Sequence, residues 1–217
     1  MSHHESSAPG ADGRLVDRML FFSDAVFAIV LTLLALELRP PEVEPRDDAA
    51  LLAGLHEAAP HFIAFVASFA LISIYWIAHM QITRRLRVFD WPVAVANLFF
   101  LLTITLIPFA NDLAVARGWT PLAFALYGGV IIAASATQTI CWVVASRDGG
   151  RLMGGVSVGE RIYRTLRAAA PGLSFAIGVV MLATPYAPFA YLCWALIWPI
   201  MAVAYLAFAP KPPRAPV

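Results

Sequence analysis

Charge is what this chain has least of. Asp, Glu, Lys and Arg supply 13% of its 217 residues, about half the share of an ordinary soluble domain. A water-solvated globule is thereby excluded. Net charge is only +1, too little for a nucleic-acid surface, so no nucleic-acid partner is expected. There are two cysteines, Cys141 and Cys193, both inside apolar runs, which suits small buried side chains better than a disulfide. No HExxH, Ser-His-Asp, Cys-His or paired-carboxylate arrangement is present, and no Gly-Lys-Ser/Thr follows the glycines of Arg147–Gly159. An enzyme is not expected, nor an organic cofactor. His56 and His61 lack an evident third ligand, so no metal site is expected either. The opening MSHHESSAPGADGR holds no apolar signal-peptide core, and the first apolar run is expected to serve as the targeting signal.

Long apolar runs are what the chain does have, and 60% of its residues are hydrophobic. Six runs approach the roughly 20 residues that cross a bilayer as a helix: 19–38, 61–82, 91–110, 121–145, 168–185 and 188–209. Pro185 and Pro188 leave almost no loop between the last two, so a tight turn is expected there. The expected architecture is an all-α integral membrane protein with six transmembrane helices. A segment 1–14 precedes a membrane domain 15–209, and a Pro-rich tail 210–217 follows. Of the 15 Lys and Arg, only Arg39, Arg46 and Arg117 fall on one side. The positive-inside rule therefore places both termini and the loops after the second and fourth runs in the cytoplasm. A short surface helix over 49–58, ended by Pro60, and a flexible glycine-rich loop before the fifth run complete the expectation.

The first run carries ionisable and polar groups where lipid does not tolerate them. Arg18, Ser23 and Asp24 stand at its leading end, and an uncompensated charge at a helix centre costs at least ~2.5–3.5 kcal/mol. At 3.6 residues per turn, Arg18, Phe22, Ile29, Leu33 and Leu36 fall along one line, with Asp24 turned away and Thr32 near the line's edge. Periodicity alone leaves open whether such a stripe faces lipid, a protein core or something else. Trp76 and His79 near the end of the second run and Asn97 near the start of the third lie at a depth similar to that of Asp24. Polar groups at one depth in neighbouring spans are expected to bond to one another. Asp24, His79 and Asn97 are therefore expected to form one buried cluster, either a structural clamp or a proton relay or latch.

The segment Arg18-Met-Leu-Phe-Phe22-Ser23-Asp24, continuing AVFAIVLTLLALEL, resembles the signature Arg-x-x-x-Phe-Ser-Asp of the transmembrane protein 175 family. That family consists of potassium channels lacking the usual filter loop, and no TVGYG occurs here. The resemblance implies a homotetramer in a bacterial inner membrane, its pore lined by the first helix of each subunit. It implies that Ile29, five positions after the signature Asp, forms the main constriction, with Leu33 and Leu36 beyond it. Thr32 falls where the family has a layer implicated in cation selectivity. Arg18, Phe22, Ser23, Asp24, Trp76 and His79 would hold the helix in place; Asn97 joins them on the depth argument alone. The implied activity is passive conduction of potassium, modestly preferred over sodium, through an apolar gate. The alternatives are a proton-coupled transporter using Asp24 and His79, and a non-conducting scaffold.

Overall fold

The computed structural model describes residues 11–42, 44 and 47–208. The expected leading segment lies outside them as far as residue 10, as does the expected tail 210–217. All regular elements among the described residues are helical. They are α1 (Ala11–Leu36), α2 (Asp48–Thr83), α3 (Trp91–Thr105), α4 (Ile107–Ala116), α5 (Pro121–Ala145), two short helical turns (Arg147–Gly150 and Arg151–Met153), α6 (Val158–Met181), a longer 3-10 segment (Ala187–Leu196) and α7 (Ile197–Phe208). Among the described residues, 5 stretches are long and apolar enough to cross a membrane: Gly13–Leu36, Asp48–Thr83, Trp91–Ala116, Pro121–Ala145 and Ala187–Phe208. The expected fifth span is different. It is the apolar end of α6, whose first turns carry Glu160, Arg161, Arg164 and Arg167. Ala168–Met181 alone rises only about 21 Å at 1.5 Å per residue, short of the ~30 Å core.

Two prolines behave in opposite ways. Pro60 does not end a surface helix; α2 runs through it for 36 residues. The start of α2 is fixed by Asp47, whose carboxylate accepts the Ala50 N–H at 2.8 Å, and the alanine- and leucine-rich sequence before Pro60 keeps the turns it interrupts helical. Pro108 does interrupt its span, separating α3 from α4 at Leu106. The residues before it are helix-poor. Thr103 and Thr105 donate their hydroxyls back to the Phe100 and Leu102 carbonyls at 2.7 and 2.8 Å, which competes with the ladder that the proline then cuts.

The glycine-rich connection before α6 is folded rather than loose. Gly150 and Gly154 hold left-handed φ of 80° and 76°, conformations that cost other residues ~1–2 kcal/mol. These bends let the Gly155 and Val156 N–H groups reach back to the Gly150 and Gly149 carbonyls, and Arg87 N–H bonds the Leu152 carbonyl at 2.9 Å. Leu152 and Met153 are thereby pressed into a small core with Val16, Ile82, Leu86, Val93 and Trp142. Asp90 caps α3 with one carboxylate oxygen and pairs Arg147 at 2.8 Å with the other.

α5 is the hub of the bundle, packed on α3, α4 and α6, while α1 lies against α2, α3 and α4. Hydroxyls stitch the hub. Tyr75 shares a hydrogen bond with Ser135 at 2.7 Å, Ser135 accepts the Gly172 N–H at 2.7 Å beside Pro171, and Gln138 donates to the Tyr75 carbonyl at 3.0 Å. Thr103 and Thr137 meet at 3.0 Å. Beyond α6, a turn over 182–186 leads into the 3-10 segment. A ten-residue 3-10 run is long for that geometry. Ser174 supports it by donating to the Cys193 carbonyl at 2.6 Å. Cys141 and Cys193 are both buried thiols, as expected.

Candidate functional site

α1 has two apolar faces with opposite surroundings. Val16, Phe27, Val30 and Leu34 are each at most 4% exposed and face the bundle. Roughly 120° round the helix, at 100° per residue, lie Phe22, Ile29, Leu33 and Leu36, exposed by 54%, 58%, 47% and 75%. The predicted stripe thus lies on the side of α1 that the rest of the chain leaves uncovered. Thr32 is also exposed, and its hydroxyl proton goes to the Ile29 carbonyl at 2.8 Å. Its oxygen lone pairs therefore remain free to accept. Ala25, Ala28 and Ala35 are exposed beside it.

The opposite side of α1 is tied down by two polar contacts. Asn97 Nδ2 donates to Ser23 Oγ at 3.0 Å, and Ser23 donates in turn to the Met19 carbonyl at 2.9 Å. Trp76 Nε1 donates to Asp24 Oδ1 at 3.0 Å. Ser23 and Asn97 are each 1% exposed, whereas Asp24 sits at the exposed margin. α1 is therefore bonded to α3 by one residue of the signature and to α2 by the next.

The expected single cluster of Asp24, His79 and Asn97 does not form in that shape. His79 is 2% exposed and neither ring nitrogen has a hydrogen-bond partner among the described residues. It packs against Phe27 and Phe100, with ring centroids 6.0 and 5.2 Å away, and those two rings are 6.0 Å from each other, so the three form a triangle. Its ring is taken up in that aromatic cluster, and Trp76, one turn earlier, makes the bond to Asp24 instead. Arg18 is exposed at the helix's leading end and makes no hydrogen bond among the described residues.

A second polar group, at the Leu36 end, was not anticipated from sequence. Glu37 lies just past the last residue of α1, outside the span that closes at Leu36. It accepts from Asn111 Nδ2 at 3.3 Å. Asn111 Oδ1 accepts from Ser68 at 2.8 Å, and Ser68 meets Tyr127 at 3.0 Å. The chain of contacts crosses α4, α2 and α5. Burial pushes the Glu37 carboxyl up to about 7, against the Asn111 hydrogen bond and with some help from Asp112. A polar residue near the end of each of two neighbouring spans, Glu37 and Asn111, was the signal available.

A family described as "Endosomal/lysosomal potassium channel TMEM175" matches residues 18–108, which is α1 to the start of α4 and takes in both ties on the signature helix. Over those residues, under half of its length, the chain resembles the TMEM175 family. Members of the TMEM175 family are ion channels rather than enzymes. A potassium channel of Chamaesiphon minutus is 30% identical over 128 residues, covering 58% of this chain and 63% of that protein. A potassium channel of a Chryseobacterium species is 30% identical over 123 residues, covering 57% of this chain and 61% of its own length. Both matches span less than two thirds of the relative. The bovine endosomal/lysosomal proton channel TMEM175 is 34% identical over 100 residues, or 43% of this chain and 21% of that protein. The crystal structure of a lysosomal potassium-selective channel TMEM175 homolog from Chamaesiphon minutus superposes with a TM-score of 0.70 at 22% identity. It covers 88% of this chain and 98% of that one, so the TMEM175 fold extends well beyond the family match.

Proposed function

We propose that this chain is one subunit of a homotetrameric, potassium-conducting channel in a bacterial inner membrane. The observation that carries the reading is the bare stripe of Ile29, Leu33 and Leu36 on a helix whose other face is buried and polar-bonded to its neighbours. A single subunit cannot enclose a passage around that stripe, so several copies must converge on it, and closed cyclic symmetry is the economical form. The exposed Ala25, Ala28 and Ala35 let neighbouring helices approach. Converging apolar rings make a constriction that conducts only when wetted. Thr32 oxygens beside it offer a weak coordinating ring, which fits modest preference for potassium over sodium. Bacterial relatives named potassium channels support this choice, and the permeant potassium ion is the ligand; no cofactor enters.

The same reading makes α6 the sixth crossing, with both termini cytoplasmic. Its 24 residues rise about 36 Å, enough to span. Its charged half is shielded where Arg164 reaches Glu160 at 2.9 Å and Arg167 reaches Gln81 at 2.6 Å. The ends of Arg164 and Arg167 then lie at the cytoplasmic interface. His79, buried against Phe27 and Phe100, has no hydrogen-bonded route to Asp24 among the described residues, which weighs against a transporter relay.

The test is current through purified protein in a planar bilayer under opposed potassium and sodium gradients, with a proton gradient applied separately. Unitary steps reversing toward the potassium potential support the proposal. Reversal that follows only the proton gradient would replace potassium with protons, as the naming of vertebrate relatives would allow. Saturable, proton-coupled uptake without steps would point to a transporter, and no flux at all to a scaffold.

A further inference from the structure

On the cytoplasmic side of the proposed orientation, α2 and α6 leave a cleft lined by Ala78, Gln81, Ile82, Arg164, Arg167 and Ala168. Its charge is unbalanced. Arg85 and Arg164 share the one carboxylate of Glu160, while Arg167 has only the neutral Gln81 amide oxygen, at 2.6 Å. Three guanidinium groups thus face one anion. Arg164 is fixed further by the Gln81 backbone carbonyl at 3.3 Å and by the Trp142 ring, 5.5 Å from its Cζ. Arg167 Nε is buried and has no hydrogen-bond partner among the described residues. A buried, charged donor without an acceptor is costly and calls for one.

We propose that this cleft is a binding site for the phosphate group of an anionic phospholipid of the cytoplasmic leaflet. Guanidinium groups match phosphate oxygens in geometry and charge, and basic pockets between spans on that side suit such headgroups. The lining favours a lipid over free phosphate. Ala78, Ile82 and Ala168 give the cleft an apolar wall, against which a glycerol backbone and the first acyl carbons can lie. Phosphate oxygens would take the unpartnered Arg167 Nε–H and balance the excess charge beside Arg164. Because Gln81 lies five residues beyond Trp76 on α2, the occupied site would brace the helix that holds Asp24 of the pore helix.

The inference rests on the membrane orientation proposed above but not on conduction, and its test reads binding without current. Purified protein in neutral detergent is followed by thermal unfolding and native mass spectrometry with added phosphatidylglycerol, phosphatidylcholine or inorganic phosphate. Phosphatidylglycerol is expected to raise the melting temperature and leave retained lipid adducts, with phosphatidylcholine doing neither. Arg167→Gln should remove the difference between the two lipids, each read against that variant's own lipid-free melting temperature. Arg167→Lys should keep part of it, and Arg117→Gln, at the opposite end, all of it. Equal response to both lipids, or an increment that survives Arg167→Gln, would overturn the site. The same increment from inorganic phosphate alone would show an anion site and overturn the lipid assignment. Should Arg167→Gln not fold, the contrast between the two lipids on wild type still decides. A protein that binds phosphatidylglycerol yet carries no current would sink the channel reading and leave this one standing.

Discussion

Removing the hydroxyl of Ser23 should harm the protein more than removing the larger amide it serves. Asn97 is buried, donates to Ser23 Oγ at 3.0 Å, and its Oδ1 already lacks a partner among the described residues. Ser23→Ala strands the whole amide, and an unsatisfied buried polar group costs ~1–3 kcal/mol. Asn97→Leu keeps the heavy-atom outline and removes the group that needed bonding. Ser23 still has its bond to the Met19 carbonyl at 2.9 Å, so this change should cost less than ~1 kcal/mol. The direct bond is too weak to decide the order, because interhelical hydrogen bonds in membrane proteins average about 0.6 kcal/mol. The stranding decides it. The double variant should therefore be more stable than Ser23→Ala alone. Tryptophan emission during unfolding in mixed micelles of rising dodecyl sulfate fraction gives all four stabilities. Additive losses, or Asn97→Leu proving at least as damaging as Ser23→Ala, would refute the reasoning.

Gly178 admits the 3-10 segment: a Cβ there would lie 2.7 Å from Cys193 Sγ and 3.0 Å from the Ala190 carbonyl oxygen. Gly178→Ala should lower stability by ~1–3 kcal/mol, whereas Gly129→Ala, with nothing within 4 Å, should hold or raise it in the same unfolding assay. Glu37 gives a pH dependence. Its carboxyl is raised from 4.5 to about 7 in the folded protein, so its neutral form is the one the fold favours. The contribution is complete below about pH 4.5 and is lost as pH rises through 7. Melting temperature measured against pH should thus fall more steeply between those values for wild type than for Glu37→Gln; parallel curves would show that Glu37 is not perturbed.

The two faces of α1 were legible in the sequence because a straight helix converts residue spacing into direction. That Ile29, Leu33 and Leu36 share one line, with Asp24 turned away from it, follows from 100° per residue. Depth matching correctly brought Asn97 to the signature helix. It misplaced His79, because depth says nothing about azimuth. His79 packs instead in a cluster with Phe27 and Phe100, and neither of its nitrogens has a hydrogen-bond partner among the described residues. Pro60 and Pro108 look alike in sequence yet only the second divides a helix, the difference residing in the neighbours that must re-form the ladder. Counting glycines suggested a loose loop before α6; left-handed bends at Gly150 and Gly154 instead make it a folded cap against Val16. The Glu37–Asn111–Ser68 chain depended on three helices meeting, which spacing within one helix does not reveal.

The most direct test of the pore assignment is Ile29→Asn in folded, oligomeric protein, with potassium and sodium opposed across a planar bilayer. Ile29 is 58% exposed in the single chain, so the change should spare the fold. An amide ring in place of an apolar one should wet the constriction. The account predicts larger currents and a reversal potential moved toward zero. Unchanged conductance and unchanged ion preference would contradict it.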